Sequence, residues 1–529
     1  MKSLHTSFAL GDIALPNRIV MAPMTRSRVS GNGALGALNA SYYAQRASAG
    51  LIISEAMVVA PEGRGYLFTP GLHTEEQIDG CKIVVNAVHD AGGIIIAQLW
   101  HVGRVAHSSV LPNGSAPLGP TSDPVEDLYV FGLDDAGRPG KVHVTPPRAM
   151  TDAEIERVVQ QFSAAAANAR RAGFDGVEIL AANGYLFDQF LNGVVNRREG
   201  RYGGSSVTTR CALVLETVEA IRAAVGDSFV LGVRLSPFGN FNKIPDDPAT
   251  SETFLYLASK LAGRTDYVHF NDEPVSIGHL NQSSVENAGE DAAVRGFKRM
   301  IPDEFLNDFR RFYPGTVIAC GGLTGETAQS MLDNGAADLF AFGVPFIANP
   351  DLPARLRDDL PLADPRTEFF YGGGEEGYSD YPAYAPPVAD AVESIDREAP
   401  QVLAAARSLI DSFSRHDVQA YFDGFSSDAT FMFYYVDKPL LSRSEYRDEW
   451  SEWERKDGFR VLECRSENQH VQLLDGGHAI FMHDVETDVQ YQGEQSTRLE
   501  RETIVFKRDR AGWIAVHEHL SLHPKEAAA

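Results

Sequence analysis

A chain of 529 residues is too long for one ordinary hydrophobic core, so two domains are expected. Its 72 Asp and Glu against 47 Lys and Arg leave a formal charge of −25, which argues against nucleic acid or an anionic membrane as a partner. Cys81, Cys211, Cys320 and Cys464 are scattered without a C-x-x-C pair, so neither a disulfide framework nor a metal site is expected. The N-terminus lacks a basic region followed by an apolar stretch, and no run approaches the roughly 18 apolar residues of a membrane span. These features point to a soluble, cytoplasmic protein.

Short apolar runs at 18–21, 51–54, 94–99, 176–180, 230–234, 267–270, 317–320 and 339–342 alternate with longer amphipathic stretches. Each run is rich in Val, Ile, Leu or Phe, as strands buried on both faces are. Two of the intervening helices are well marked. Thr151-Asp-Ala-Glu154 is a capping box that opens an Ala-rich stretch ended by Gly173, and a second helix runs over 326–334 before Gly335. About eight units in β-then-α order predict a TIM (β/α)8 barrel of the α/β class. In such barrels the chemistry sits at the carboxyl ends of the strands. Polar residues and glycines do follow the runs: Pro23-Met-Thr25, Glu55-Ala56, Gln98 with Trp100 and His101, Asn183-Gly-Tyr185, Arg234, Gly321-Gly322 and Gly343.

From Pro382 to Pro400 the composition turns to Pro, Ala and acids with no strand pattern. This predicts a linker at 387–399 between a barrel domain, 1–386, and a second domain, 400–529. There Val402, Ala406, Leu409, Ile410 and Phe413 mark one face of a helix. A strand-like stretch at 429–435 and a capped acidic segment with Trp450 and Trp453 follow. Long strand patterns then occupy 459–467, 478–491, 498–507 and 513–520, with hairpin turns at Asp475-Gly-Gly477 and Arg510-Ala-Gly512. Helices followed by an antiparallel sheet describe an α+β cone. Alternation on the last strand puts Trp513, Ala515, His517 and His519 on one face, as acid–base groups of a pocket, a pair of metal ligands, or polar residues on a sheet or dimer surface.

The motifs at the strand ends are Asn17-Arg-Ile-Val-Met-Ala-Pro-Met-Thr-Arg26, Tyr42-Tyr-Ala-Gln-Arg-Ala-Ser48, Gln98-Leu-Trp-His-Val-Gly-Arg104, Phe174-Asp-Gly-Val-Glu178, Asn183-Gly-Tyr-Leu186, Arg201-Tyr-Gly-Gly204, Val233-Arg-Leu-Ser236 and Pro345-Phe-Ile-Ala-Asn-Pro-Asp351. In this order, over about residues 5–385, the set resembles the Old Yellow Enzyme family. The resemblance implies non-covalent FMN at the top of the barrel, reduced by NADPH and reoxidised by the activated C=C bond of a small-molecule substrate. It implies Pro23, Met24 and Thr25 along the flavin ring, Ala56 and Gln98 at its pyrimidine end, and Arg234 beside N1, where a cation stabilises the anionic reduced form. The phosphate falls to the loops of Gly321, Gly322 and Gly343. Asn183 is implied as a donor to the substrate carbonyl and Tyr185 as the proton donor, with Trp100 and Tyr378 at the substrate mouth.

Two positions depart from the family pattern. Val344 stands where the family has a phosphate-binding Arg, and Leu180 replaces the first of two carbonyl donors. Residues from about 400 to 523, with Arg501-Glu-Thr-Ile-Val-Phe506 and Trp513-Ile-Ala-Val-His-Glu-His-Leu520, resemble the polyketide-cyclase-like and ketosteroid-isomerase-like (SnoaL-like) cones, which either enclose a small-molecule pocket or pair two chains into a homodimer. The expected function is an FMN-dependent ene-reductase with a specialised biosynthetic substrate. The alternatives are a non-redox isomerase or cyclase with structural or absent flavin, and an inactive scaffold.

Overall fold

The computed structural model describes residues 3–272, 300–385, 388–474, 477–508 and 512–523. The chain divides into two compact units, Met1–Tyr384 and Ala385–Ala529. In the first, eight strands lie within a residue or two of the runs expected from sequence: β1 (Ile19–Met21), β2 (Leu51–Ile53), β3 (Ile95–Trp100), β4 (Gly176–Ala181), β5 (Val230–Leu235), β6 (Tyr267–Asn271), β7 (Thr316–Cys320) and β8 (Leu339–Phe342). All pair in parallel. β8 returns to β1 through Phe340↔Ile19, and β3 meets β4 through Glu178↔Gln98, so the sheet closes into a barrel.

Alternation sorts the strand residues into two cores. Outward residues such as Ile179, Val233, Val268 and Phe340 pack beneath the surrounding helices. One of these, α1 (Asp152–Ala172), has the expected cap, Thr151 accepting from the Glu154 N–H, and ends at Gly173 with φ +94°. Inward residues Val20, Leu51, Ile53, Ile96, Val230, Ile318 and Leu339 fill the barrel with Leu10 and Leu15 of an N-terminal hairpin. The Tyr267 ring shares this interior because Gly232 faces it; a Cβ there would lie 2.0 Å from Tyr267 Cζ. Toward the carboxyl ends the inward residues become polar: Gln98, Glu178, Arg234, His269 and Asn271 are all buried.

The second unit packs α-helices Val388–Ser414 (α2), Val418–Asp423 (α3) and Arg443–Asp457 (α4) with a five-stranded sheet. Its strands are β9 (Phe425–Phe433), β10 (Arg460–Leu474), β11 (His478–Tyr491), β12 (Glu494–Arg508) and β13 (Trp513–Leu522), in the order β9-β13-β12-β11-β10. Residues 388–399, expected as a linker, instead begin helix α2, with Pro400 inside it. Ala and Glu on both sides of the proline are strong helix formers, and the missing N–H costs one bond of a long ladder. Of the expected hairpin turns, Asp475, Gly476, Arg510 and Ala511 lie outside the described residues. A turn not anticipated joins β11 to β12, where Gln492 (φ +53°) and Gly493 (φ +85°) have the positive φ values of a two-residue hairpin.

A β-bulge overturns the expected face of the last strand. β13 pairs Ala515 with Phe506 but His517 with Val505, so Val516 is extra and the alternation reverses after it. Glu518, not His517 or His519, therefore points inward with Ala515. His517 bonds Thr430 Oγ1 at 2.8 Å, and His519 is exposed.

Inside the cone the Tyr421 hydroxyl donates to both oxygens of Glu518, at 2.9 and 3.1 Å. Glu518 meets Glu502, which is bonded to His483. Burial and the charge of Glu502 push the Glu518 carboxyl well above its ordinary range. Burial acts the same way on Glu502, but His483 and the Glu518 proton outweigh it and hold that group low. Of the two, Glu518 is the group that holds a proton more tightly. A carboxyl that binds its proton more tightly when folded stabilises the fold at low pH and loses that contribution as pH rises from the ordinary carboxylate range toward the raised folded value. Glu518→Gln, an uncharged isostere of the protonated acid, should flatten the fall in melting temperature as pH rises above the ordinary carboxylate range. Equal slopes for the two proteins in calorimetry would contradict this protonation state.

Candidate active site

The rim at the carboxyl ends of β1–β8 is built from the polar layer upward. Glu178 is fully enclosed; its Oε1 accepts from Gln98 Nε2 at 2.6 Å and its Oε2 lies 2.9 Å from His269 Nδ1. Burial pushes this carboxyl up, but His269, Arg234 and the Gln98 amide outweigh burial and keep it below the usual carboxylate range. His269 is pushed down, chiefly by burial and against the pull of Glu178, and its Nδ1 faces that carboxylate. Glu178 thereby fixes Gln98 with one N–H turned to the barrel wall and the rest of its amide toward the rim.

One layer higher, Arg234 donates from Nη2 to Asn271 Oδ1 at 2.9 Å, and Asn271 Nδ2 donates to Asn183 Oδ1 at 2.8 Å. Arg234 Nε is buried with no partner among the described residues. Asn183 sits in a left-handed conformation (φ +61°) that begins the Asn-Gly turn after β4. Its N–H is received by Ser236 Oγ and its carbonyl accepts from Asn242 Nδ2, both at 2.8 Å. Asp188 secures the next residue, accepting from the Gly184 N–H at 2.8 Å.

An apolar wall rises beside this network from Ala56, Trp100, Leu180 and Tyr185. Trp100 stacks on Tyr66 at 5.6 Å and meets Tyr185 edge-on at 5.1 Å. The Tyr66 and Tyr185 hydroxyls lie 3.4 Å apart. Burial pushes the Tyr185 phenol up to about 12, so it holds its proton throughout the neutral range. Leu180 is 3% exposed and presents only methyl groups where a donor is usual for the resembling family.

Pro23, Met24 and Thr25 follow β1 half-buried. Met24 lies 3.6 Å from where a Gly343 Cβ would be, so the loops after β1 and β8 adjoin. Gly321, after β7, has φ +129°, and a Cβ there would lie 2.2 Å from the Asp272 carbonyl oxygen. Only glycine fits that approach. Gly322 is exposed, and Val344, which opens a short helix at Val344–Ala348, is 38% exposed.

Tyr378 does not line the mouth. Its ring is fully buried and stacks on Tyr42 at 3.9 Å, and its hydroxyl accepts from Asn39 at 3.1 Å. The guanidiniums of Arg26 and Arg28 lie over it at 5.1 and 4.7 Å. The aromatic group of this loop that opens outward is Tyr371, 59% exposed. Sequence reasoning also passed over Glu178, His269 and Asn271 as site residues. The sign was present in Tyr267-Val-His-Phe-Asn271, where every second residue of a buried strand is polar.

The donor set fits FMN. Arg234 Nε is a buried donor with no partner among the described residues, Gln98 is oriented by Glu178, and glycine backbone lines the loop after β7. Residues 3–363 match the family model described as NADH:flavin oxidoreductase / NADH oxidase, and 402–524 match a SnoaL-like domain. The chain is 37% identical over 392 residues to 12-oxophytodienoate reductase 7 of Oryza sativa subsp. japonica, covering 73% of this chain and 95% of that one. It matches morphinone reductase in complex with tetrahydroNAD at 40% identity and TM-score 0.66, covering 73% of this chain and 99% of that one. It matches the Old Yellow Enzyme homologue from Zymomonas mobilis at 34% identity and TM-score 0.64, covering 72% and 100%. Among the described residues, no helix is long and apolar enough to cross a membrane.

Val344 is exposed, so Val344→Arg meets no core to clash with. A charge-assisted bond to phosphate is worth about 1.5–3 kcal/mol, so FMN should bind about 10- to 100-fold tighter to the variant in calorimetry on apoprotein. Unchanged affinity would show that the phosphate is held away from this helix.

Proposed function

This chain belongs to the NADH:flavin oxidoreductase / NADH oxidase family, and from that premise we propose that it reduces the activated C=C bond of a small enone, with NADPH as reductant and FMN as the hydride carrier. The observation that carries the reading is that Asn183 lies two hydrogen bonds from Arg234, with Tyr185 two residues on. Flavin-binding and carbonyl-binding groups are then parts of one rim.

FMN, when bound, supplies a hydride donor for the β-carbon of the substrate. Gln98 and Arg234 hold its pyrimidine end, and the glycine loops after β7 and β8 hold its phosphate. Asn183 donates to the substrate carbonyl oxygen as negative charge develops there. Tyr185 gives its proton to the α-carbon. A phenol raised to about 12 is a weak acid, yet it remains fully protonated at neutral pH and faces an enolate, a far stronger base. The wall of Trp100, Leu180 and Ala56 excludes water from the same space. A specialised biosynthetic substrate and a homodimer formed through the cone belong to this reading. They are supported by the fused domain and by the outward placement of Met432 and His519 on its sheet.

Leu180 sets the test. With one carbonyl donor instead of two, reoxidation of reduced flavin by cyclohexenone should be slow, and Leu180→His should accelerate it by about 10- to 1,000-fold. Reduction by NADPH should change little, because no enone carbonyl takes part. Tyr185→Phe should lower turnover while leaving cyclohexenone binding intact. Stopped-flow measurement of each half-reaction separates these effects. Leu180 and the Glu502–Glu518 pair of the cone favour a second reading, a non-redox isomerase or cyclase. Reduced flavin that no enone reoxidises, even in Leu180→His, would put that reading first.

A further inference from the structure

We propose that Asn271 is a positioning residue that sets the polarity of the carbonyl clamp, leaving Asn183 able to present only an N–H to the substrate oxygen. The inference rests on the ene-reductase reading of the rim and adds a specificity-determining residue to it.

One chain of hydrogen bonds joins Arg234, Asn271 and Asn183. An Asn side chain can point its oxygen or its NH2 in either direction, and the two ends differ little in shape. A guanidinium has no such freedom, because it carries donors only. Arg234 Nη2 lies 2.9 Å from one end of Asn271, so that end must be the oxygen. The NH2 of Asn271 then faces Asn183 at 2.8 Å, and the group that receives it must be the Asn183 oxygen. The remaining end of Asn183, Nδ2, donates to no group among the described residues. A flipped Asn183 would set NH2 against NH2 at 2.8 Å and turn a lone pair toward the substrate oxygen. Arg234 thus dictates, through Asn271, which pole of Asn183 is offered.

The backbone of Asn183 cannot turn away to escape this constraint. It lies in the left-handed region at φ +61°, its N–H is engaged by Ser236 Oγ, and its carbonyl is engaged by Asn242 Nδ2. Asn271, Arg234 and Asn183 are buried or half-buried, so water does not readily replace the lost partner. The consequence is sharpest in this chain because Leu180 supplies no donor of its own. With Asn183 as the side-chain donor of these two positions, its polarity decides whether a carbonyl oxygen is attracted or repelled. The nicotinamide carboxamide, by contrast, carries both a donor and an acceptor and can turn to meet either pole.

Two variants separate this role from packing. Asn271→Asp is nearly isosteric and keeps an acceptor for Arg234, but its second oxygen also accepts, so Asn183 must turn its NH2 inward and its oxygen outward. Asn271→Leu removes both bonds and leaves Asn183 free to rotate. In the flavin-loaded full chain, reduced by dithionite, reoxidation by cyclohexenone should slow by about 100-fold in Asn271→Asp and by about 10-fold or less in Asn271→Leu. The dissociation constant for cyclohexenone should rise in the same order. Reoxidation by dioxygen, which needs no carbonyl clamp, reports any change in the flavin itself and should differ little between the two variants. A merely structural asparagine predicts the reverse order, with the isosteric Asp milder than Leu. That reverse order, or equal rates, overturns the proposal while the wild-type enzyme still reduces cyclohexenone. A wild-type reduced flavin that cyclohexenone does not reoxidise overturns the ene-reductase reading itself, and this inference with it.

Discussion

One buried carboxylate and one buried guanidinium, Glu178 and Arg234, organise the rim of the barrel. Neither can be enclosed in a closed sheet without its hydrogen-bonding capacity being met, because an uncompensated buried charge costs several kcal/mol. Glu178 meets that demand with Gln98 and His269, and Arg234 with Asn271. Strand register puts these partners within reach: Glu178 is opposite Gln98, and Arg234 is opposite His269. Each partner is oriented by the charge it serves and turns its remaining capacity toward the rim. The orientation of Gln98 and Asn183 is therefore inherited from residues beneath or beside them.

Much of this was legible in the sequence. The eight strands announce themselves because each is buried on both faces, so apolar residues run without a break and their ends are marked by glycine and polar residues. Thr151, Glu154 and Gly173 mark a helix in three positions for the same local reason. What escaped was of another kind. His269 and Asn271 sit inside an apolar run, and their meaning depends on a register with β5 and β7 that no local pattern reveals. Tyr371 and Tyr378 lie seven residues apart in a loop of glycines, and only packing against Tyr42 decides that Tyr378 is the buried one. In the cone, one extra residue at Val516 exchanges the two faces of β13, so His517 and His519 do not share the face of Ala515, and Glu518 points inward there. The segment before Pro400 was misjudged because a proline is a weaker stop signal when good helix formers flank it.

In the proposed reading, the two departures at the rim act on different terms. Val344 removes a charge from the phosphate end and bears on how tightly the cofactor is held. Leu180 removes a donor from the substrate end and bears on how well an oxyanion is stabilised. Neither disturbs the fold: Leu180 completes an apolar cluster with Trp100 and Tyr185, and Val344 lies at an exposed helix start. The cone adds an independent cluster in a unit of its own, built around two neighbouring carboxyls of which Glu518 is pushed well above its ordinary range.

The central claim is that one rim passes a hydride from nicotinamide to flavin to enone. It is tested most directly by following the flavin absorbance of the purified protein in a single anaerobic experiment. One equivalent of NADPH should bleach the oxidised flavin band, and cyclohexenone added afterwards should restore it with formation of cyclohexanone. Bleaching that persists whatever enone is added would contradict the account.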